Sequence, residues 1–591
     1  MRDVVSRARV RLLRRPGRTV AVVLALAVAT AAVVFALQAY RASTSLERAA
    51  SQAEQLQTQV VAGDISAARA TLSDLRRSTA RARNETDGPL WAVGAKVPWL
   101  GRNVSAVRTV AATLDDVTTQ ALPPIVNVSD QLNASAFSPQ GGKIDLATIQ
   151  QIGPAVGAAD RSLTAARSRL SAIDPSELVG RLRTPVERLR EKVKTAQTSA
   201  ASAHVAAQLM PQMLGAGGER RYLLLIQNNA EIRATGGIAG AFAVIRANRG
   251  RVAVERTGSI RDLPPFAAPV LPMTGDEKTV FLDQLVRDLR DVNVTPDFPR
   301  SAQIARAMAE KQLAIGVDGV MSIDPVALSH VLAGTGAVKV GDGLTIDSTN
   351  AVEVLLNSVY RKYPDGEQQD AVFAASARKI FETVTSGSAD PRKVIEGLSR
   401  SVSEKRLMLW SKRSDEQQKI AATGIAGAFA RDDGASPHVG VYLGDAAGSK
   451  MQYYLDYSTV MTATRCLEGG RQEITTTTEL TSDAPEGLPE YITGNGKLAP
   501  KGDMRMFAWL YAPHGGRFTS IKLDGTPQII TTARLHGRPE TTVEVRLARG
   551  QTRTLSTTVI SGPDQEADGI FSTTPGIRTS GGDVTVPSAC R

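Results

Sequence analysis

A chain of 591 residues is longer than one hydrophobic core supports, so three or so folded units are expected. With 42% hydrophobic and 22% charged residues, the composition is globular and excludes wholesale disorder. The net charge of +11 does not mark a nucleic-acid binder: residues 1–18 hold seven arginines against Asp3, which leaves only +5 for the other 573 positions.

That arm (1–18) leads into Val20–Leu37, eighteen residues in which Thr30 is the sole polar member. At a rise of 1.5 Å per residue they cover about 27 Å, close to the apolar thickness of a bilayer. A signal peptide has a shorter apolar core and a small-x-small exit, and Gln38-Ala-Tyr-Arg41 is a poor one. Residues 19–40 are therefore read as one uncleaved transmembrane helix in the cell membrane, with the arginine arm cytoplasmic and everything after Tyr40 extracytoplasmic.

Residues 41–213 read as a helical bundle of about four helices. Ile65, Ala68, Leu72 and Leu75 are spaced 3-4-3, and Leu182, Val186, Leu189, Val193, Ala196 and Ala200 are spaced 4-3-4-3-4. Breaks are expected at Asp87-Gly-Pro89, Pro123-Pro124 and Ser138–Gly142. A stalk is the plain reading. The alternative is that Trp91 and Trp99, in GPLWAVGAKVPWLG, touch the bilayer surface.

Residues 214–450 alternate strand and helix, the mark of an α/β domain. Strands are expected at Tyr222–Ile226, Ala241–Ile245, Val252–Arg256 and Gly319–Ile323. Helices are expected at Val280–Arg290, at Ser301–Ala314, and over PVALSHVLAGTG, closed by Gly334. Residues 451–591 change character: RQEITTTTEL, MRMFAWLYAP, TTVEVRLA and TRTLSTTVI are short, turn-bounded and threonine-rich. They predict an all-β sandwich, immunoglobulin-like in general plan. Cys466 and Cys590 are the two cysteines, and in an exported chain they are expected to form a disulfide.

The common phosphate-loop, zinc-protease and serine-hydrolase signatures are absent, and the five histidines show no metal spacing. What remains is a set of charged residues at expected strand ends: Arg233, Arg261 with Asp262, Arg300, and Arg361-Lys362 with Asp365. Guanidinium forks suit phosphate or pyrophosphate oxygens, and ordinary salt bridging explains the same residues equally well.

RYLLLIQNNAEIRATGGIAGAFAVI, DFPRSAQIARAMAEKQLAIGVDGVMSIDPVAL, LLNSVYRKYP and VGVYLGDAAGSKMQYYL resemble a bacterial domain-of-unknown-function family (number four thousand and twelve) over roughly residues 215–460. Members of that family are typically single-span envelope proteins. The order of elements also resembles, more distantly, the LytR–CpsA–Psr ligases, which transfer glycopolymers from polyprenyl-diphosphate lipids to the cell wall. On that resemblance Arg233, Arg261, Arg300, Arg361, Lys362 and Asn229 are the expected phosphate ligands. Asp262 and Asp365 are the expected catalytic carboxylates, with a divalent cation such as Mg²⁺ as cofactor. The chain departs from the ligases at Thr235, where they carry an acid, and at Asn229, which replaces another; both changes weaken a Mg²⁺ site. The resemblance implies an envelope protein that binds a polyprenyl-linked polysaccharide and assists its export or attachment, with glycopolymer transfer as the implied activity. The alternative is a non-catalytic scaffold or partner-binding protein with a degenerate pocket.

Overall fold

The computed structural model describes residues 16–98, 100–128, 142–341, 343–363, 365–430 and 434–590. The arginine arm up to residue 15, Trp99 and the expected break at 138–141 lie outside them. The chain divides into two compact units, residues 1–136 with 147–210, and residues 137–146 with 211–591.

The first unit is helical. Helix α1, Pro16–Ala62, runs 47 residues without a break at Tyr40. It contains the one helix segment among the described residues that is long and apolar enough to cross a membrane. Val22–Thr30 are exposed on all sides. Beyond them a stripe of Ala42, Ser45, Ala49 and Leu56 turns inward at 3-4 spacing. Helix α2 (Ile65–Thr86) presents Ala68, Leu72 and Leu75 to that stripe, so the first expected seam is a seam. It stops at Asp87-Gly-Pro89, as expected, and a six-residue helix α3 (Pro89–Gly94) leads to α4 (Gly101–Asp116).

Pro123-Pro124 do not break the chain. A π-helical turn at Val117–Ala121 runs straight on into a helix Leu122–Val128, so the prolines sit inside a continuous helical run directly after the irregular turn that goes with their missing N–H groups. Helices α5 (Leu146–Ser171) and α6 (Gly180–Met213) complete the bundle. Val186 and Val193 of the second seam are buried, Leu182 and Leu189 partly so, and Ala196 is exposed.

The second unit holds a mixed five-stranded sheet. Its strands are β1 (Arg220–Arg233), β2 (Gly236–Asn248), β3 (Arg251–Ser259), β4 (Gly319–Ile323) and β5 (Met408–Ser411), in the order β3-β2-β1-β4-β5. β1 and β4 are parallel and the other pairs antiparallel. Helix α7 (Phe298–Leu313) packs Ile304, Ala305 and Met308 into the core of this sheet. Helix α8 (Pro325–Thr335) starts on Asp324, whose side chain accepts from the Ala327 N–H. It ends at Gly336, φ +71°, two residues later than the expected Gly334. The helix expected over Val280–Arg290 is only a 3-10 turn at Asp283–Val286 after a short helix Gly275–Val280. Leu285, Val286 and Leu289 are all buried, and their spacing also suits one helical face, which is why the stretch reads as a helix in the sequence.

Apart from a two-stranded hairpin, Val338–Gly341 with Leu344–Ile346, the remaining strands form two facing sheets of six and five strands. Ile474, Leu480, Leu555 and Val559 of one meet Val441, Leu443, Val543 and Val545 of the other in one core. The six-stranded sheet includes His438–Asp445, so the sandwich begins inside the segment assigned by sequence to the α/β domain. Its other face is buried too: Tyr442, Trp509 and Tyr511 belong to the core of the mixed sheet. Cys466 and Cys590 are disulfide-bonded, 124 positions apart.

Candidate functional site

The polar stretch Gln227–Arg233 is part of β1 rather than a loop beyond it. The ladder with β2 pairs Asn228 with Ile238 and then Ile232 with Gly237, so Asn229, Ala230 and Glu231 bulge out. Gly237 is required here: a Cβ would lie 2.1 Å from the Asn228 carbonyl. The bulge brings Glu231 to a cavity of about 530 Å³, within the range of small-molecule sites.

The cavity is walled by Ile226 and Ile238 of the sheet, Leu328 of α8, Leu355 and Leu356, and Phe373 of helix α9 (Gly366–Thr385). Leu355 and Leu356 lie in a π-helical turn, Val354–Ser358, that leads directly to Tyr360. α9 presents Gln369, Phe373, Ser376 and Ala377, spaced for a single helix face. Gln369 donates Nε2 to the Tyr363 carbonyl at 2.7 Å, while its Oε1 is buried with no hydrogen-bond partner among the described residues.

The charged groups gather around two tyrosines. Tyr360 and Tyr491 stack with ring centroids 5.7 Å apart, and Lys450 Nζ lies 4.6 Å and 5.0 Å from them. Lys450 donates to Glu231 Oε1, Asn228 Nδ2 donates to Tyr360 Oη at 2.7 Å, and Arg261 Nη2 donates to Tyr491 Oη at 2.7 Å. Burial works to lower the affinity of Lys450 for its proton, but Glu231 and the two tyrosines hold it above the ordinary lysine value. Burial likewise raises the Glu231 carboxyl, and Lys450, Arg233 and Arg261 outweigh it, so the group lies below the usual carboxylate range. The pair is therefore ionised.

Asp445 shapes the loop carrying Lys450 by accepting from Ala447 and Gly448 N–H groups and from Gln452. The Lys450 N–H then bonds the Ile492 carbonyl, which fixes Lys450 relative to Tyr491. Arg261 is exposed where the cavity opens and lies against Gly366 of α9, where a Cβ would stand 1.8 Å from Nη1.

Of the residues singled out by sequence, Arg261 alone lines this cavity. Arg233 is held by Asp291 at 3.2 Å and by the Ile232 carbonyl. Arg300 makes a two-pronged pair with buried Glu277, at 2.7 and 3.0 Å, and bonds the Pro272 carbonyl. Arg361 and Lys362 are exposed at the end of a short helix, Val359–Lys362, and Asp262 is exposed in a 3-10 turn. Asp365 caps α9 through the Glu367 N–H. Asn229 is buried, donating to Asp324 and to the Pro575 carbonyl. The arginines thus do not converge as one clamp; Arg261 is joined instead by Lys450 and by Arg290, itself paired with Asp288.

The residues also do not fit a divalent cation. Thr235 accepts from Gln227, Asp324 is engaged by Arg406, and no group of three or more His, Cys, Asp or Glu among the described residues is placed to hold a metal ion. Glu231, Tyr360, Lys450 and Tyr491 were not singled out by sequence. Three of them stand in the quoted stretches QNNAEIR, LLNSVYRKYP and GSKMQYY, and Tyr491 lies in a segment without a distinguishing pattern.

Residues 217–360 match the model of a family described as Protein of unknown function (DUF4012), so this part of the chain, from β1 to Tyr360, is similar to that family. No curated protein is similar at a significant level. Among solved structures, the chain is similar to the crystal structure of the transcriptional regulator yvhJ from Bacillus subtilis. Identity is 12%, with 34% of this chain and 76% of that chain covered and a TM-score of 0.18.

Proposed function

We propose that this is a membrane-anchored envelope protein whose second unit binds a lipid with an anionic head, of the polyprenyl-phosphate kind, and thereby assists export or wall attachment of the glycan it carries. The observation that carries this reading is the cavity described above, with aliphatic and aromatic walls and Arg261, Arg290 and Lys450 among its polar lining. An apolar tail gains about 25 cal/mol for each Å² removed from water, and a phosphate gains charge-assisted hydrogen bonds from a guanidinium. The unpartnered Gln369 Oε1 adds an acceptor suited to a hydroxyl on the bound molecule.

The chemistry proposed is binding. Asp262 and Asp365, the carboxylates expected to act in transfer, face solvent and a helix terminus respectively, and no transfer step is assigned to them. A second reading, a partner-binding scaffold, is favoured by the closed ion pairs of Arg233 and Arg300.

Binding of a polyprenyl phosphate to the full chain in detergent micelles discriminates the two. Arg261→Ala should weaken it by about tenfold or more, the worth of a charged hydrogen bond, and Leu356→Arg should abolish it by filling the apolar wall. Equal binding by both variants would leave the scaffold reading standing.

A further inference from the structure

The contact between α1 and the rest of its unit begins earlier than a stalk requires. Phe35 lies within the apolar run, six residues before Arg41, or about 9 Å along the helix axis. The Trp91 ring packs on it with centroids 4.7 Å apart, and Trp91 itself is 2% exposed. Trp91 is therefore a wedge against α1 rather than a ring offered to lipid, which corrects one part of the surface-contact alternative. A Cβ at Gly94 would lie 3.4 Å from Phe35 Cε2, and one at Gly88 would lie 4.0 Å from Gln38 Nε2. The segment from Gly88 to Gly94 is thus seated on the last two turns of the apolar run.

The other side of this stretch, and the residues just after it, are exposed. Val93 is 66% exposed and Val97 is 37% exposed, with Ala92 and Pro98 also exposed. Lys96, between the two valines, is exposed and has no ion pair among the described residues. The helix on which this segment packs also exposes Val33, Val34 and Leu37, so exposed apolar side chains stand on both, with the Lys96 cation in the segment between its valines. A bilayer's headgroup boundary matches it, apolar below and anionic above.

We propose that Pro89–Pro98 is a second membrane contact, resting in the outer leaflet of the bilayer that α1 crosses, with Val93 and Val97 at the acyl chains and Lys96 among the phosphates. The inference rests on the reading of α1 as a span. Two points held by one unit, the span and the segment beside it, fix the unit's tilt as one point cannot.

The test uses the full chain in liposomes of phosphatidylcholine and phosphatidylglycerol, labelled with bimane at a single introduced cysteine. The natural cysteines are disulfide-bonded and do not react. Leu26→Cys reports the span, Val93→Cys the proposed contact, and Ser51→Cys, about 15 Å beyond Arg41 on the same helix, is the aqueous control. Lipids carrying a spin label near the glycerol should quench Val93→Cys at least threefold more than Ser51→Cys. Quenching of Val93→Cys at the Ser51→Cys level, with Leu26→Cys quenched by deep labels, overturns the proposal and leaves the span intact. A Leu26→Cys probe that no labelled lipid quenches overturns the span reading and the proposal together.

Discussion

Lys450 and Glu231 are both mostly buried, and each is tolerable only with the other. Glu231→Gln should lower stability by about 3 kcal/mol, because it leaves an ammonium between two tyrosine rings without its counter-ion. Adding Lys450→Met should recover much of that loss, which urea unfolding of the single and double variants checks. Gly366→Ala is a gentler probe: its methyl group would displace the Arg261 guanidinium without removing the charge, so lipid affinity should fall while stability changes little.

Glu540 offers a pH test. Burial raises its carboxyl to about 7, with only the Thr542 hydroxyl opposing. The folded state then holds a proton that the unfolded chain releases near the ordinary glutamate value. Stability should therefore be greatest below about pH 4.5 as far as this group is concerned, fall between about 4.5 and 7, and level off above. Glu540→Gln should flatten that slope in denaturation midpoints measured from pH 5 to 8. At the same scale, residue type is legible in one dimension and pairing is not. Arg300 read as an anion ligand because nothing in the one-dimensional pattern says that Glu277, in a capping box with Thr274, folds back onto it. Arg261 and Arg233 read alike in the sequence, as cations at strand ends, yet Arg261 lines the cavity and Arg233 pairs with Asp291.

At the scale of elements, periodicity carried most of the fold. The 3-4 seam of α2, the strand Gly319–Ile323 and the threonine-rich strands of the sandwich all follow from it. What periodicity misses is any element whose period is irregular. The bulge at Asn229–Glu231 inserts three residues into a regular ladder and the π turns at Val117–Ala121 and Val354–Ser358 widen a regular helix, and two of these three irregularities shape the cavity. Val280–Arg290 errs in the opposite direction, since apolar residues close together in sequence can fill a core without being helical. The disulfide, legible from cysteine count and location alone, closes most of the sandwich into a loop. Replacing Cys466 and Cys590 with alanine should cost up to about 5 kcal/mol in the chain-entropy estimate, read as a lowered thermal midpoint without loss of β-sheet circular dichroism at 20 °C.

At the scale of the molecule, sequence drew a border at residue 450 that the second unit does not respect. The six-stranded sheet serves two cores, with Val441 and Leu443 on one side and Tyr442 on the other. A fragment ending at residue 450 would expose the apolar face that Trp509 and Tyr511 now cover, and should be insoluble where residues 211–591 unfold in a single transition.

The loops that carry Lys450 and Tyr491 are connections between sandwich strands, Lys450 just after His438–Asp445 and Tyr491 just before Met504–Tyr511. The β-sandwich therefore supplies part of the cavity's charge. Occupancy of the cavity should be registered as slower amide hydrogen exchange along those two strands, far from any contact with the bound molecule, which makes the sandwich a reporter of what its neighbour holds.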